Sequence, residues 1–232
     1  MNKTYRLIWS DIRQTWVVTS ELAVTRGKPS RVKPAVALLA GALASIGVHA
    51  QVPAPNALPT GGQVVGGQAS IATSGATMNI QQSSQRAIVN WQSFNIGSGA
   101  AVNFQQPNAG AVALNRVVGS DPSAIYGSLT ANGQVFLLNP SGVVFGPGAR
   151  VDVGGLVAST LGMRNDDFLS GNYRFTRDGF AGSVLNQGDL FGQYVALLAP
   201  EVRNEGVIMA RQGTAALAGG DAVTLNIAGS NL

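Results

Sequence analysis

From Gln63 onward the chain sets short apolar runs between clusters of Gly, Asn and Pro, as in QVVGGQASIATSG, QVFLLNP, GVVFGPGARVDVGGL and GDAVTLNIAG. Val151 and Val153 alternate with Arg150 and Asp152, the period of a half-buried strand. No long apolar stripe at helical spacing runs through residues 63–232. The pattern predicts an all-β chain of many short strands. Residues 51–62, QVPAPNALPTGG, are rich in Pro and Gly and read as an extended lead-in.

All-β chains fold as sandwiches, barrels or solenoids, and internal repeats separate them. Asn186-Gln187-Gly188-Asp189-Leu190 is echoed by Asn204-Glu205-Gly206-Val207-Ile208, an offset of 18 residues. Ala196-Leu197 is echoed by Ala216-Leu217, an offset of 20 residues. A spacing near one coil, with Asn-x-Gly corners, favours a parallel β-helix over the alternative, a β-sandwich. Roughly eight coils at about 4.8 Å each would make a rod about 40 Å long. Gly and Asn would supply its φ > 0 corners.

One corner is especially legible. In FLLNPSGVVFG, residues 136–146, the turn positions are filled by Asn139, Pro140, Ser141 and Gly142. A type I turn favours Asn first, Pro second and Gly fourth. One stretch breaks the pattern: residues 163–182, MRNDDFLSGNYRFTRDGFAG, gather charges with Phe168, Tyr173, Phe175 and Phe180. It reads as an excursion, a hairpin or loop on the rod's flank, either shielding the core or offering a partner surface.

The N-terminal region reads as an address. Lys28, Arg31 and Lys33 precede the apolar stretch Ala35–Val48, which ends at Val48-His49-Ala50. That is a basic n-region, an h-region too short to span a membrane, and a small-residue cleavage site. Cleavage is expected after Ala50. Residues 1–26, with Trp9, Trp16 and Glu21, form an unusual extension ahead of residues 27–50. It resembles the extended signal-peptide region of large exported proteins of Gram-negative bacteria.

Charge follows from that division. The whole chain has a pI near 9.9. Seven of its fifteen basic residues and two of its eleven acids lie in residues 1–50, leaving eight Arg against nine acids, a net charge of −1. No basic patch remains to support nucleic-acid binding. The chain has no Cys, which suits a polypeptide that must thread a second membrane unfolded.

Chemistry is equally sparse. The single His is His49, at the expected cleavage site, and residues 51–232 contain no Cys or Lys. The usual bases, nucleophiles and metal ligands of triads, zinc sites and Schiff bases are therefore missing. Asp166-Asp167 is a sequence-adjacent pair without a saccharide cleft nearby, and Asn165-Asp166-Asp167 is too short for a calcium loop. No phosphate-binding or dinucleotide fingerprint occurs. The expectation is no enzyme, no cofactor and no metal.

Three blocks then fall together: SIATSGATMNIQQSSQRAIVNWQSFNIGSGAAVNFQQP, AVALNRVVGSDPSAIYGSLTANGQVFLLNPSGVVFG and RVDVGGLVAST. With Trp91 and Phe94 in WQSFNI, Asn115 and Arg116 in LNRV, and the corner Asn139 to Gly142, they closely resemble the secretion domain of two-partner secretion exoproteins of the filamentous-haemagglutinin type. The resemblance covers residues 55–228. The family's corner is usually NPNGI; here Ser141 and Val143 replace its third and fifth residues. A second family motif, NPNL, is absent as such, which marks a subgroup.

The resemblance implies a right-handed, single-stranded parallel β-helix with an N-terminal cap and an extra-helical hairpin, over residues 63–232. It implies export through the general secretory (Sec) machinery. It further implies recognition in the periplasm by the POTRA domains of a dedicated outer-membrane β-barrel transporter of the TpsB type, and folding of the β-helix outside the cell. On that reading Asn139, Pro140, Ser141 and Gly142 form a fold corner and a transporter signal, while Trp91, Phe94, Asn115 and Arg116 are structural. A competing expectation is an adhesin module that grips a host glycan or receptor through aromatics near residues 168–180. A third is a β-helical polysaccharide enzyme. The terminal DAVTLNIAGSNL is strand-like without a charged cap, so a longer polypeptide is expected.

Overall fold

The structure is a computed structural model that describes residues 5–10, 15–20, 51–211 and 213–227. The expected n-region, h-region and cleavage site at Ala50 lie outside the described residues. The chain divides into two units, Met1–Ala44 and Ser45–Leu232. In the first, β1 (Tyr5–Ser10) and β2 (Thr15–Ser20) pair antiparallel with Trp9 opposite Trp16.

The second unit is a parallel β-helix. It opens with two strands, β3 (Gln63–Gly66) and β4 (Ala69–Ser74). The first coil contains β5 (Thr77–Gln82) and β6 (Arg86–Trp91), and the second β7 (Ala101–Gln105), β8 (Val112–Val117) and β9 (Ser123–Ile125). The third is β10 (Ser128–Ala131), β11 (Gln134–Leu138) and β12 (Val143–Phe145). The fourth has β13 (Arg150–Asp152) and β14 (Gly155–Ser159), then leaves the helical path through α1 (Asn165–Leu169) and β15 (Tyr173–Thr176) before β16 (Ser183–Asn186). The fifth is β17 (Asp189–Gly192), β18 (Tyr194–Ala199) and β19 (Glu201–Asn204). The sixth holds β20 (Val207–Ala210) and β21 (Ala215–Gly219), followed by β22 (Ala222–Leu225).

Strands of successive coils stack into three sheets. Sheet one runs β4-β5-β7-β10-β13-β17-β20, sheet two β3-β6-β8-β11-β14-β18-β21, and sheet three β9-β12-β16-β19. The coil-to-coil pairings are parallel, while β3 and β4 pair antiparallel with β6 and β5. These two strands close the N-terminal edge, where unpaired N–H and C=O groups would otherwise recruit another chain.

The described residues make six coils, fewer than the eight expected from an 18- to 20-residue period. The early coils are longer: Trp91 and Asn115, on successive coils, are 24 residues apart. The lead-in, the cap and the fourth-coil excursion also lie off the helical path.

The interior is built from columns of side chains in register. Met78, Val102, Leu129, Val151, Leu190 and Ile208 lie opposite one another on six successive strands of sheet one. The first five are buried at 5% exposure or less. Each full burial contributes about 1.5–3 kcal/mol, so one column anchors several coils.

Sheet two is apolar on its outer face as well. Ile88, Leu114, Phe136, Val157 and Ala196 share an outward column and join a second core with Phe168, Tyr173 and Phe175 of the excursion. Burial on both faces explains why QVFLL and YVALLA read as continuous apolar runs rather than alternating ones. The excursion closes on itself through reciprocal backbone bonds between Gly162 and Thr176, at 2.8 and 2.9 Å, and it is tied to the chain's later part as well. Its strand β15 pairs antiparallel with β22, with Tyr173 opposite Leu225 and Phe175 opposite Val223. It shields the outer face of sheet two: Phe168, Tyr173 and Phe175 are buried there, and Phe180 alone of its aromatics is exposed.

Candidate functional site

The corner at residues 139–142 is assembled from three coils. Strand β11 ends at Leu138, and Asn139 is fully buried. The Gly142 N–H donates to the Asn139 carbonyl at 3.1 Å, closing a four-residue turn. Asn139 Oδ1 accepts the Ser141 N–H at 2.9 Å, the local bond that suits Asn to a turn. Its Nδ2 donates to the Asp121 carbonyl and to Ser123 Oγ, both at 3.0 Å, on the coil before. Its backbone N–H donates to the Ser159 carbonyl on the coil after, at 2.9 Å.

The rest of the corner is equally committed. The Pro140 carbonyl accepts the Gly182 N–H at 2.7 Å, and the Gly142 carbonyl accepts the Ser123 N–H at 2.9 Å. Gly142 has φ +129, a conformation that side-chain-bearing residues rarely adopt. A Cβ on Gly182 would lie 2.6 Å from the Ser141 carbonyl oxygen, so the returning excursion needs glycine there. Pro140 is exposed and Ser141 half-buried, whereas Asn139 and Gly142 are buried. The folded corner therefore presents little beyond the Pro140 ring. Ser123 and Gly182 complete it and carry no distinguishing signal in the sequence, because they reach it only through the coil stacking.

The other four expected site residues cluster on β6 and β8 and the segment after β6, and do not reach the corner's hydrogen bonds. Trp91 and Phe94 are buried and meet edge to face at 5.5 Å with an interplanar angle of 83°. Trp91 Nε1 donates to Asn115 Oδ1 at 3.0 Å. Asn115 points into the interior, between Val89 and Leu137 on neighbouring strands. Its Nδ2 reaches the Ala113 and Phe136 carbonyls at 3.3 and 3.4 Å, so this buried amide is satisfied.

Arg116 faces the other way. It donates to Asn165 Oδ1 at 2.8 Å and to the Met163 carbonyl at 2.7 Å, fastening the base of the excursion to β8. Partial burial lowers its pKa from the ordinary arginine value. With neutral acceptors on both nitrogens, it is a structural tie. Of the aromatics at residues 168–180, Phe168, Tyr173 and Phe175 are spent on the second core, and Phe180 stays exposed. Phe136 contacts Phe168 at 6.1 Å and Tyr173 at 5.0 Å, centroid to centroid.

Comparison with known proteins decides the family. The family model of the TPS secretion domain, TPS standing for two-partner secretion, matches residues 50–231. The chain belongs to that family. The family model of the extended signal peptide of the type V secretion system matches residues 1–50. A heme/hemopexin-binding protein of Haemophilus influenzae is 40% identical over 185 residues, 75% of this chain and 20% of that protein. Another heme/hemopexin-binding protein of Haemophilus influenzae is 45% identical over 116 residues, 50% of this chain and 12% of that protein.

The crystal structure of the HMW1 secretion domain from Haemophilus influenzae superposes with a TM-score of 0.67 at 34% identity, covering 72% of this chain and 46% of that one. The chain thus spans at most a fifth of the length of the two heme/hemopexin-binding proteins and less than half of the solved one. It is the secretion domain of a two-partner exoprotein, exported to the cell surface or beyond through the outer membrane with a dedicated transporter. The family is a secretion domain rather than a family of enzymes.

Proposed function

We propose that this secretion domain is read by its transporter as an unfolded chain, and that Asn139 to Gly142 form part of what is read. The Sec machinery delivers it to the periplasm, where it is cleaved after Ala50. The POTRA domains of the TpsB-type transporter then capture the extended chain. Outside the cell the same four residues become a corner of the β-helix, which seeds further coils by nearest-neighbour stacking.

One observation carries this reading. All three side-chain hydrogen bonds of Asn139 are consumed inside the folded domain, and the residue has no exposure. A receptor could reach that side chain only before the second and third coils stack. Signal and corner are then two successive uses of one segment.

The test is binding of the transporter's isolated periplasmic region to the chain in two states. The chain diluted from urea, before it folds, should be captured, and the folded chain should not. Asn139→Ala should weaken capture of the unfolded form. Equal capture of folded and unfolded chain would overturn the proposal, and unchanged capture of Asn139→Ala would remove the corner from the signal.

A further inference from the structure

Away from the corner, a recess of about 260 Å³ lies where the chain turns from sheet one into sheet two, across the third to sixth coils. Its floor is Ala131 and the backbone of Gly154, and its walls are Asn132, Asp152, Gln193 and Arg211. Gly154 leaves no room for a side chain. Gly154 N–H donates to the Gly133 carbonyl at 2.7 Å, and a Cβ on Gly154 would lie 2.6 Å from that same oxygen.

The walls are largely pre-set. Asn132 is pinned by Gln106, accepting its N–H and donating to its carbonyl, both at 2.7 Å. Arg211 Nη2 donates to Asp152 Oδ1 at 2.9 Å, and its guanidinium stands 5.8 Å from the Phe191 ring centroid. Arg150 lies over the same ring at 5.0 Å. A guanidinium held by a carboxylate and a ring loses less entropy when its remaining N–H groups bind a ligand. Gln193 is exposed, and its side chain makes no hydrogen bond among the described residues.

The chemistry of these walls selects a ligand class. Asp152 is shared by two guanidiniums, Arg211 at 2.9 Å and Arg150 at 3.9 Å, and its carboxylate on the wall disfavours phosphate and sulfate. The floor offers too little apolar surface to hold a hydrophobic ligand. What remains is a ligand rich in hydroxyls. Adjacent hydroxyl groups can donate to the free lone pairs of Asp152 and accept from Arg211, both charge-assisted bonds, while Gln193 can do either.

We propose that this recess binds one or two rings of an uncharged saccharide. The proposal is independent of how the transporter recognises the chain. An open, shallow site of this kind corresponds to a dissociation constant on the order of 1 mM.

The test is amide chemical-shift titration of the purified, isotope-labelled chain with maltotetraose, cellotetraose, mannotetraose and fully N-acetylated chitotetraose, and with inorganic phosphate as the charged control. At least one neutral tetrasaccharide should saturate shifts at Asn132, Gly154 and Gln193, and phosphate should not. Gln193→Ala removes an unbonded side chain and leaves the fold intact. It should weaken binding about fivefold, the effect of one lost hydrogen bond. Three outcomes would overturn the proposal: no neutral probe shifting these amides at about 20 mM, well above millimolar affinity; phosphate competing for them; or Gln193→Ala binding as tightly as the parent.

Discussion

Asn139→Ala has a magnitude that can be worked from the corner. The substitution removes two donated bonds, to the Asp121 carbonyl and Ser123 Oγ, and one accepted from the Ser141 N–H. Each is worth about 0.5–1.5 kcal/mol net. Ser123 is fully buried, so its hydroxyl is left unsatisfied, whereas the half-exposed Ser141 N–H can recover a water. An orphaned buried group costs about 1–3 kcal/mol. The expected destabilisation is about 2–4 kcal/mol, a large part of the 5–15 kcal/mol typical of a folded domain.

Urea unfolding is the assay, and in the chain cleaved after Ala50 the sole tryptophan, Trp91, is the fluorescent probe. The midpoint should fall with an unchanged slope. Pro140→Ala is the control. Its ring is exposed, so it should cost less than about 1 kcal/mol, chiefly through the unfolded chain. If Asn139→Ala unfolded within about 0.5 kcal/mol of the parent, ordinary surface-substitution range, the corner would not hold the coils together through Asn139.

Trp91→Phe leaves Asn115 Oδ1 without its donor inside the core and should cost about 1–3 kcal/mol, read by circular dichroism in urea. Phe175→Ala should cost about 3–5 kcal/mol and should speed hydrogen exchange in β22 more than in the interior columns, since Phe175 sits opposite Val223. Burial, with a smaller contribution from Tyr173, pushes the Tyr194 phenol far above its ordinary value of 10.0. The unfolded phenol ionises where the folded one stays neutral, so this contribution to stability is whole below pH 10 and falls as pH rises above it. Tyr194→Phe should flatten that alkaline slope while losing the 2.6 Å bond to Gln134, which pH-dependent urea midpoints would report.

What was legible in the sequence was local or periodic. The two echoes at offsets of 18 and 20 residues are strand registers: Asn186 lies opposite Asn204, and Ala196 opposite Ala216. The first pair even hydrogen-bonds, amide to amide, at 2.7 Å. The turn at Asn139 was readable because its residue types are fixed by four consecutive positions.

What was illegible depends on stacking. Alternation in DAVTLNIAG marks a strand but cannot name β15 as its partner. Nor can it show that the aromatics of residues 163–182 cover the outer face of sheet two. The coil number expected from the sequence exceeds the six observed because the echoes come from the shortest coils. The recess was invisible for the same reason as Ser123: its walls come from four coils that only the register brings together.

Export of the whole chain from a Gram-negative host, with and without its cognate outer-membrane transporter, shows whether secretion depends on that partner. The folded domain should reach the medium only when the transporter is present, and without it the chain should stay in the cell envelope. Equal amounts in the medium in both strains would contradict that dependence.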